Sequence, residues 1–190
     1  MTNISSPRPA ARLARQLALA VALASGTALV GVPGLVDAAH AQKKKKDDKA
    51  EAAKPVYSKE FVAAYQPLDT ALKAPGADAA ALKPQDLALV PLAVSADEKM
   101  ALGSLVLNTG ITSKDLPLQL QGVEMMLASG KVKPEELGRF NLIGFQLSNE
   151  LKQYDKARDY LQRAIDLNYS GPNVTTADLQ MNLAELYFAE

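Results

Sequence analysis

The sequence contains no cysteine and no tryptophan, and His40 is its single histidine. Without cysteine there is no disulfide, thiol nucleophile, zinc–thiolate site, cysteine-linked haem or lipidated N-terminal cysteine. The lone imidazole falls within the first 41 residues, a segment that reads as removable. The remaining chain then lacks the usual general base at neutral pH and most of the transition-metal donor set. Charge of one sign is missing too: 21 Lys and Arg balance 21 Asp and Glu over 190 residues. Residues 1–41 hold Arg8, Arg12 and Arg15 against Asp37, so their loss leaves 18 basic and 20 acidic residues, a net charge of −2. No basic excess remains to neutralise a phosphate backbone, which argues against general nucleic-acid binding. Gly-rich phosphate loops, a Gly-x-Ser-x-Gly elbow and His-Glu-x-x-His are all absent. The paired carboxylates Asp97-Glu98 and Glu135-Glu136 stand in the first turns of predicted helices, where the helix dipole accounts for them. Met125-Met126 reads as gap-filling core. No catalytic residue, cofactor or metal ligand is assigned, and the chain is read as non-enzymatic. An enzyme here would have to use carboxylate or lysine chemistry alone.

The N-terminus reads as an address. Residues 1–16 carry three arginines and no acid, Leu17 to Leu35 is apolar, and Ala39-His40-Ala41 ends the run with small side chains. A positive start, an apolar middle and a small-x-small ending predict a secretory signal peptide over residues 1–41, cut after Ala41. The rival reading is a retained membrane anchor, but Gly26, Gly31, Pro33 and Gly34 favour transient insertion over a stable span. Twin arginines are absent, so the general export route is expected, and the style of the segment places the product in a bacterial periplasm. Residues 42–57, with Lys43 to Lys46 followed by Asp47 and Asp48, show no apolar periodicity and predict a charged disordered linker. The lysine run has a second reading, adhesion to anionic lipid head groups, which Asp47, Asp48 and Glu51 weaken.

From Ser58 onward the pattern is helical throughout, with no sustained alternation of period two. Ser58 opens one helix that ends near Pro75-Gly76. A poorer segment from Asp78 to about Val94 holds Pro84 and Pro91 and predicts a short helix with irregular ends. Ser95 and Glu98 form a capping box, and the helix behind them is expected to fade at Asn108-Thr109-Gly110. Ser113 to Asp115 cap the next, whose buried stripe is Leu116, Leu120, Val123 and Leu127, stopped by Gly130. Pro134 begins another helix, with Phe140, Ile143, Gly144, Leu147 and Leu151 inward. Asp155 opens the sixth, with Ala157, Leu161, Ala164 and Ile165 inward. Thr176 is expected to cap the last, with Leu179, Leu183, Ala184 and Tyr187 inward. A large-small-x-x-large pattern recurs as Leu102-Gly103 with Val106, Ile143-Gly144 with Leu147, and Leu183-Ala184 with Tyr187. The small residues lie 41 and 40 positions apart, the period of a solenoid of helical hairpins.

Phe140 to Tyr169 resembles a tetratricopeptide repeat (TPR). Phe140, Ile143-Gly144 and Leu147 match the marks of that family's first helix, and Tyr154, Ala157, Leu161 and Ala164 those of its second. One extra residue lies in the turn near Lys152, and Tyr169 stands where a helix-ending proline is common. The resemblance implies an all-α, short right-handed solenoid over residues 58–190. Its parts are a degenerate hairpin at 58–94, a degenerate repeat at 95–133, the best repeat at 134–170, and the first helix of an incomplete repeat at 176–190. It also implies a concave face that takes a protein or peptide partner. By matching register, the groove candidates are Asn141, Phe145, Ser148 and Asn149 in the best repeat and Met181, Asn182, Glu185 and Phe188 in the last. Met100, Ser104, Leu107 and Asn108 are the equivalents in the weak repeat.

The expectation is an exported, non-catalytic, protein- or peptide-binding scaffold of the periplasm. It has no cofactor and no nucleic-acid partner, and it meets membrane only through its signal peptide. Because the final repeat has a first helix and no second, two further expectations follow: pairing through helix 176–190, or a longer repeat protein whose function lies beyond Glu190.

Overall fold

The computed structural model describes residues 55–188. Residues 1–54, which include the predicted export segment and most of the predicted charged linker, lie outside the described residues. Seven α-helices make up the described chain: α1 (Lys59–Lys73), α2 (Ala79–Ala88), α3 (Ala96–Ser113), α4 (Leu116–Ala128), α5 (Pro134–Glu150), α6 (Tyr154–Asp166) and α7 (Thr176–Phe188). A 3₁₀ turn at Val90–Leu92 follows α2. No strand occurs among the described residues, where one isolated bridge joins Gly171 and Val174. The fold is all-α.

Polar side chains set the helix starts. Ser58 accepts the Phe61 N–H, Asp78 that of Ala81, and Asp115 that of Leu118, while Ser95 and Glu98 form a complete capping box. Each such cap contributes about 1 kcal/mol by satisfying a donor that the helix itself leaves open. Helix ends are equally regular. Lys114, Lys152 and Asn168 adopt left-handed backbone, at φ 57°, 58° and 51°. The next N–H in each case reaches back to the carbonyl of Gly110, Ser148 or Ala164. These are three Schellman closures, each made without the glycine that usually occupies the left-handed position.

Two close hairpins follow from glycines. A Cβ on Gly103 would lie 2.8 Å from the Met126 backbone nitrogen, on Gly110 2.7 Å from that of Gln119, and on Gly122 2.5 Å from that of Leu107. Numbers fall along α4 as they rise along α3, so the two helices run antiparallel, and three absent side chains let their backbones touch. In the second hairpin, Gly144 lies under the ring of Tyr160 and Gly138 under that of Tyr169, with Cβ clearances of 2.8 and 2.5 Å. Successive helices pack on one another from α1 to α7. A continuous apolar core runs from Leu107 and Val123 through Phe140, Leu147 and Leu161 to Leu179.

Several expectations need correction. Helix α3 does not fade at Asn108–Gly110 but continues to Ser113, because Gly110 is a contact surface for Gln119 and not a break. Pro84 lies inside α2, which is short as expected and runs into the 3₁₀ turn that holds Pro91. Asp115 alone caps α4, and α6 begins at Tyr154. Thr175, not Thr176, caps α7: its hydroxyl accepts the Asp178 N–H while Asp178 accepts the N–H and hydroxyl of Thr175. The inward stripe of α7 is also different. Leu179 is buried and Leu183 and Leu186 are half-buried against the core, whereas Ala184 and Tyr187 are exposed. Tyr187 keeps a neighbour there, the Arg158 guanidinium of α6.

Candidate protein-docking site

Helix α7 carries apolar residues on two opposite faces. At 100° per residue, Leu179, Leu183 and Leu186 point one way and Ala177, Met181, Ala184 and Phe188 the other. The outer four follow steps of four, three and four, which keeps them in one narrow stripe. All four are exposed, Met181 at 65% and Phe188 at 89%. One edge of the stripe is acidic, with Asp178 and Glu185. The other holds Gln180 and Tyr187, and the Arg158 guanidinium sits 5.4 Å from the Tyr187 ring centre.

The same register is covered in the preceding first helix. Forty positions earlier, Leu137, Asn141, Gly144 and Ser148 occupy α5, and of these only Leu137 is even partly exposed. Gly144 receives Tyr160 of α6 there, as Gly103 receives Met126 of α4. Helix α7 thus presents bare a stripe that α6 helps to close on α5.

The eight groove candidates divide accordingly. Asn141, Phe145 and Ser148 are buried, at 4%, 2% and 0% exposure, and belong to the interior. Asn141 and Ser148 share a stripe with Gly144, so the close approach that glycine permits also shuts them in. Asn141 donates to the Leu137 carbonyl at 2.8 Å, and its Oδ1 and the Ser148 hydroxyl are buried without a hydrogen-bond partner. Asn149 and Asn182 are half-buried, and Met181, Glu185 and Phe188 are exposed. In α3, Leu107 is buried and Met100, Ser104 and Asn108 are half-buried. Among these candidates, only those of α7 include exposed apolar side chains, Met181 and Phe188. The small spacing residue was the signal for this: candidates three and four positions from Gly144 lie on its contact face.

Polar constellations elsewhere have structural partners. Glu98 is 2% exposed. Its Oε1 accepts the Ser58 N–H and hydroxyl, both at 2.7 Å, and its Oε2 accepts the N–H groups of Val94 and Ser95, at 2.9 and 2.7 Å. Burial by itself would raise its pKa, but these donors hold it down at about 2. Asp97 accepts the Val56 N–H and pairs with Lys131, which keeps its carboxyl below the usual range. The carboxylate pair therefore fastens the segment before α1 to the start of α3, well beyond a helix-dipole role. Asp86 is wholly buried; its Oδ2 accepts the Thr109 hydroxyl at 2.6 Å and its Oδ1 has no partner. Burial pushes its pKa up, only partly offset by that hydroxyl. A shallow hollow between α4 and α6, about 140 Å³, is lined by Glu124, Lys156, Asp159, Tyr160 and Arg163. Lys156 is already paired with Glu124 across it, at 2.7 Å. Among the described residues no cluster of three or more His, Cys, Asp or Glu side chains is placed to hold a metal ion. No described helix is long and apolar enough to cross a membrane.

Comparison with protein-family models, with curated proteins and with solved structures finds no match to this chain.

Proposed function

We propose that this chain is an exported, non-catalytic scaffold of tetratricopeptide type that binds a protein or peptide, with the outer stripe of α7 as its docking face. The observation that carries the reading is the bare stripe Ala177, Met181, Ala184 and Phe188. Two large apolar side chains stand in water at 65% and 89% exposure, and covering such a side chain is worth roughly 1.5–3 kcal/mol. Exposed apolar surface that is contiguous, and not scattered, marks interaction sites. Support for the repeat type comes from the residues of 140–169, the antiparallel hairpins α3–α4 and α5–α6, and the recurrence of Gly103 and Gly144 as contact points. Support for the periplasm comes from the Arg-rich, apolar, small-x-small N-terminus. The test is native co-purification from the envelope fraction, with Met181→Glu/Phe188→Glu as the control. A partner recovered in fixed proportion with the wild type and lost with the double variant supports the scaffold. Recovery of the same proteins with both, or of none, overturns it.

A further inference from the structure

The composition of the α7 stripe and of its edges defines what it accepts. We infer that it receives an amphipathic helix of a partner protein, laid antiparallel to α7, with Lys or Arg along one flank. This rests on the scaffold reading above and names the chemistry of the partner.

Three observations lead there. The first is register. In α3–α4 and α5–α6 the small residue on the first helix is covered by an antiparallel helix, at Gly103 and Gly144. Ala184 occupies the matching place and is bare. A helix is the shape that fits this face, and α7, at 13 residues, gives it a track of about 20 Å.

The second is size. Along the stripe the residues alternate small, large, small, large: Ala177, Met181, Ala184, Phe188. A covering helix interdigitates when its own large side chains stand over Ala177 and Ala184 and its small ones over Met181 and Phe188.

The third is charge, and it selects among occupants. The only described charges on α7 are Asp178 and Glu185, and both border the same edge of the stripe. A second copy of this chain satisfies the size pattern, because the alternation is self-complementary when read antiparallel. However, two antiparallel helices bring like edges together, so Glu185 would face Asp178 of the second copy. Like charges in that position are destabilising. A helix with basic residues along that edge satisfies both the size pattern and the charge.

The experiment uses the full chain and two synthetic helical peptides about 16 residues long. Both carry Leu and Ala in the complementary order; one has Lys along the flank and the other Glu. Binding is followed by fluorescence anisotropy, and self-association of the chain alone by sedimentation equilibrium. The small contact area sets an expected Kd for the Lys peptide of about 10–100 µM. The Glu peptide binds at least ~10-fold more weakly, and the gap closes in high salt. Met181→Glu abolishes binding of both. The surface change Glu185→Lys leaves Asp178 in place and brings that edge to zero net charge, so it removes the preference for the Lys peptide. Equal binding of the two peptides to the wild type, no binding of either, or a preference unchanged by Glu185→Lys overturns the inference. So does a wild-type chain that is already dimeric at low micromolar concentration, or a native protein longer than this sequence whose further residues protect Met181, since the stripe is then taken by a second copy or by the protein's own chain. If the peptides fail while the native partner is still lost with Met181→Glu/Phe188→Glu, the helix chemistry is wrong and the scaffold reading stands. If both fail, the scaffold reading falls as well.

Discussion

Replacing Glu98 with glutamine removes one charge from a residue that is 2% exposed and keeps its shape. The carboxylate collects four donor contacts, two from Ser58 and one each from Val94 and Ser95, at 2.7–2.9 Å. An amide has one acceptor oxygen, so its NH₂ group must face one pair of these donors. Hydrogen bonds to a charged acceptor contribute roughly 1.5–3 kcal/mol each, and a buried donor left unpaired costs roughly 1–3 kcal/mol. The four contacts share one carboxylate and do not add, so the expected loss is on the order of 3 kcal/mol. For a helical domain of this size that lowers Tm by about 10 °C. The sign with pH follows from the depressed pKa, which stands at about 2 against an ordinary 4.5. The stabilisation is complete above pH 4.5 and drains away as pH falls toward 2. Thermal melts followed by circular dichroism at steps from pH 2.5 to 7 read both quantities. The gap between wild type and Glu98→Gln should be widest near pH 6 and shrink steadily below pH 4.5. A gap under about 2 °C at neutral pH, or one that does not change with pH, would refute this account of the clasp.

The remaining predictions concern packing, backbone and buried charge. Gly122→Ala places a Cβ 2.5 Å from the Leu107 backbone nitrogen, which cannot yield without separating α3 from α4. Urea titration should show a loss of about 2–4 kcal/mol. Gly144→Ala meets the Tyr160 ring instead, which can shift, so its loss should be smaller. Lys152→Gly relieves left-handed backbone at φ 58° and should stabilise by up to about 1 kcal/mol in the same assay. Asp86→Asn removes a buried carboxyl whose pKa is raised by burial. Wild-type stability falls as pH climbs from the ordinary carboxylate value through that raised one, so the variant should be at least as stable as wild type at pH 7. The advantage should vanish below about pH 3.8, and a variant that is weaker than wild type at pH 7 counts against the assignment.

Local chemistry was the most readable part of this chain. Ser58, the Ser95–Glu98 box, Asp115, Gly130 and Pro134 mark helix ends through donors and backbone geometry that neighbours in sequence decide, and the elements follow. The buried stripes of α5 and α6 are largely legible for a related reason, since their period is the helix period. In α4, by contrast, Leu120 and Val123 are buried, Leu116 and Leu127 only partly, and Leu118 and Met126 are buried off the expected stripe. What escaped was contact between distant segments. Gly110 reads as a helix breaker, yet it serves as a seat for Gln119. Glu98 reads as a dipole partner, yet it binds Ser58, forty residues away. The groove register went astray for the same reason. Asn141 and Ser148 are polar and were placed facing a ligand, but the helix that Gly144 admits lies over them. Ala184 and Tyr187 repeat the pattern of covered residues and are exposed among the described residues, because a pattern records what a position suits and not what lies over it.

The reading of α7 as a docking face is tested most directly by the chemistry of Met181. A thioether in water is oxidised by peroxide, and one in a closed core is spared. In dilute purified chain, Met181, at 65% exposure, should oxidise far faster than Met126, at 1%. In the native envelope fraction, mass spectrometry should find Met181 slowed toward the rate of Met126 in wild type and not in Phe188→Glu. Equal rates for Met181 in the purified chain and in the envelope would contradict the claim that this face is occupied.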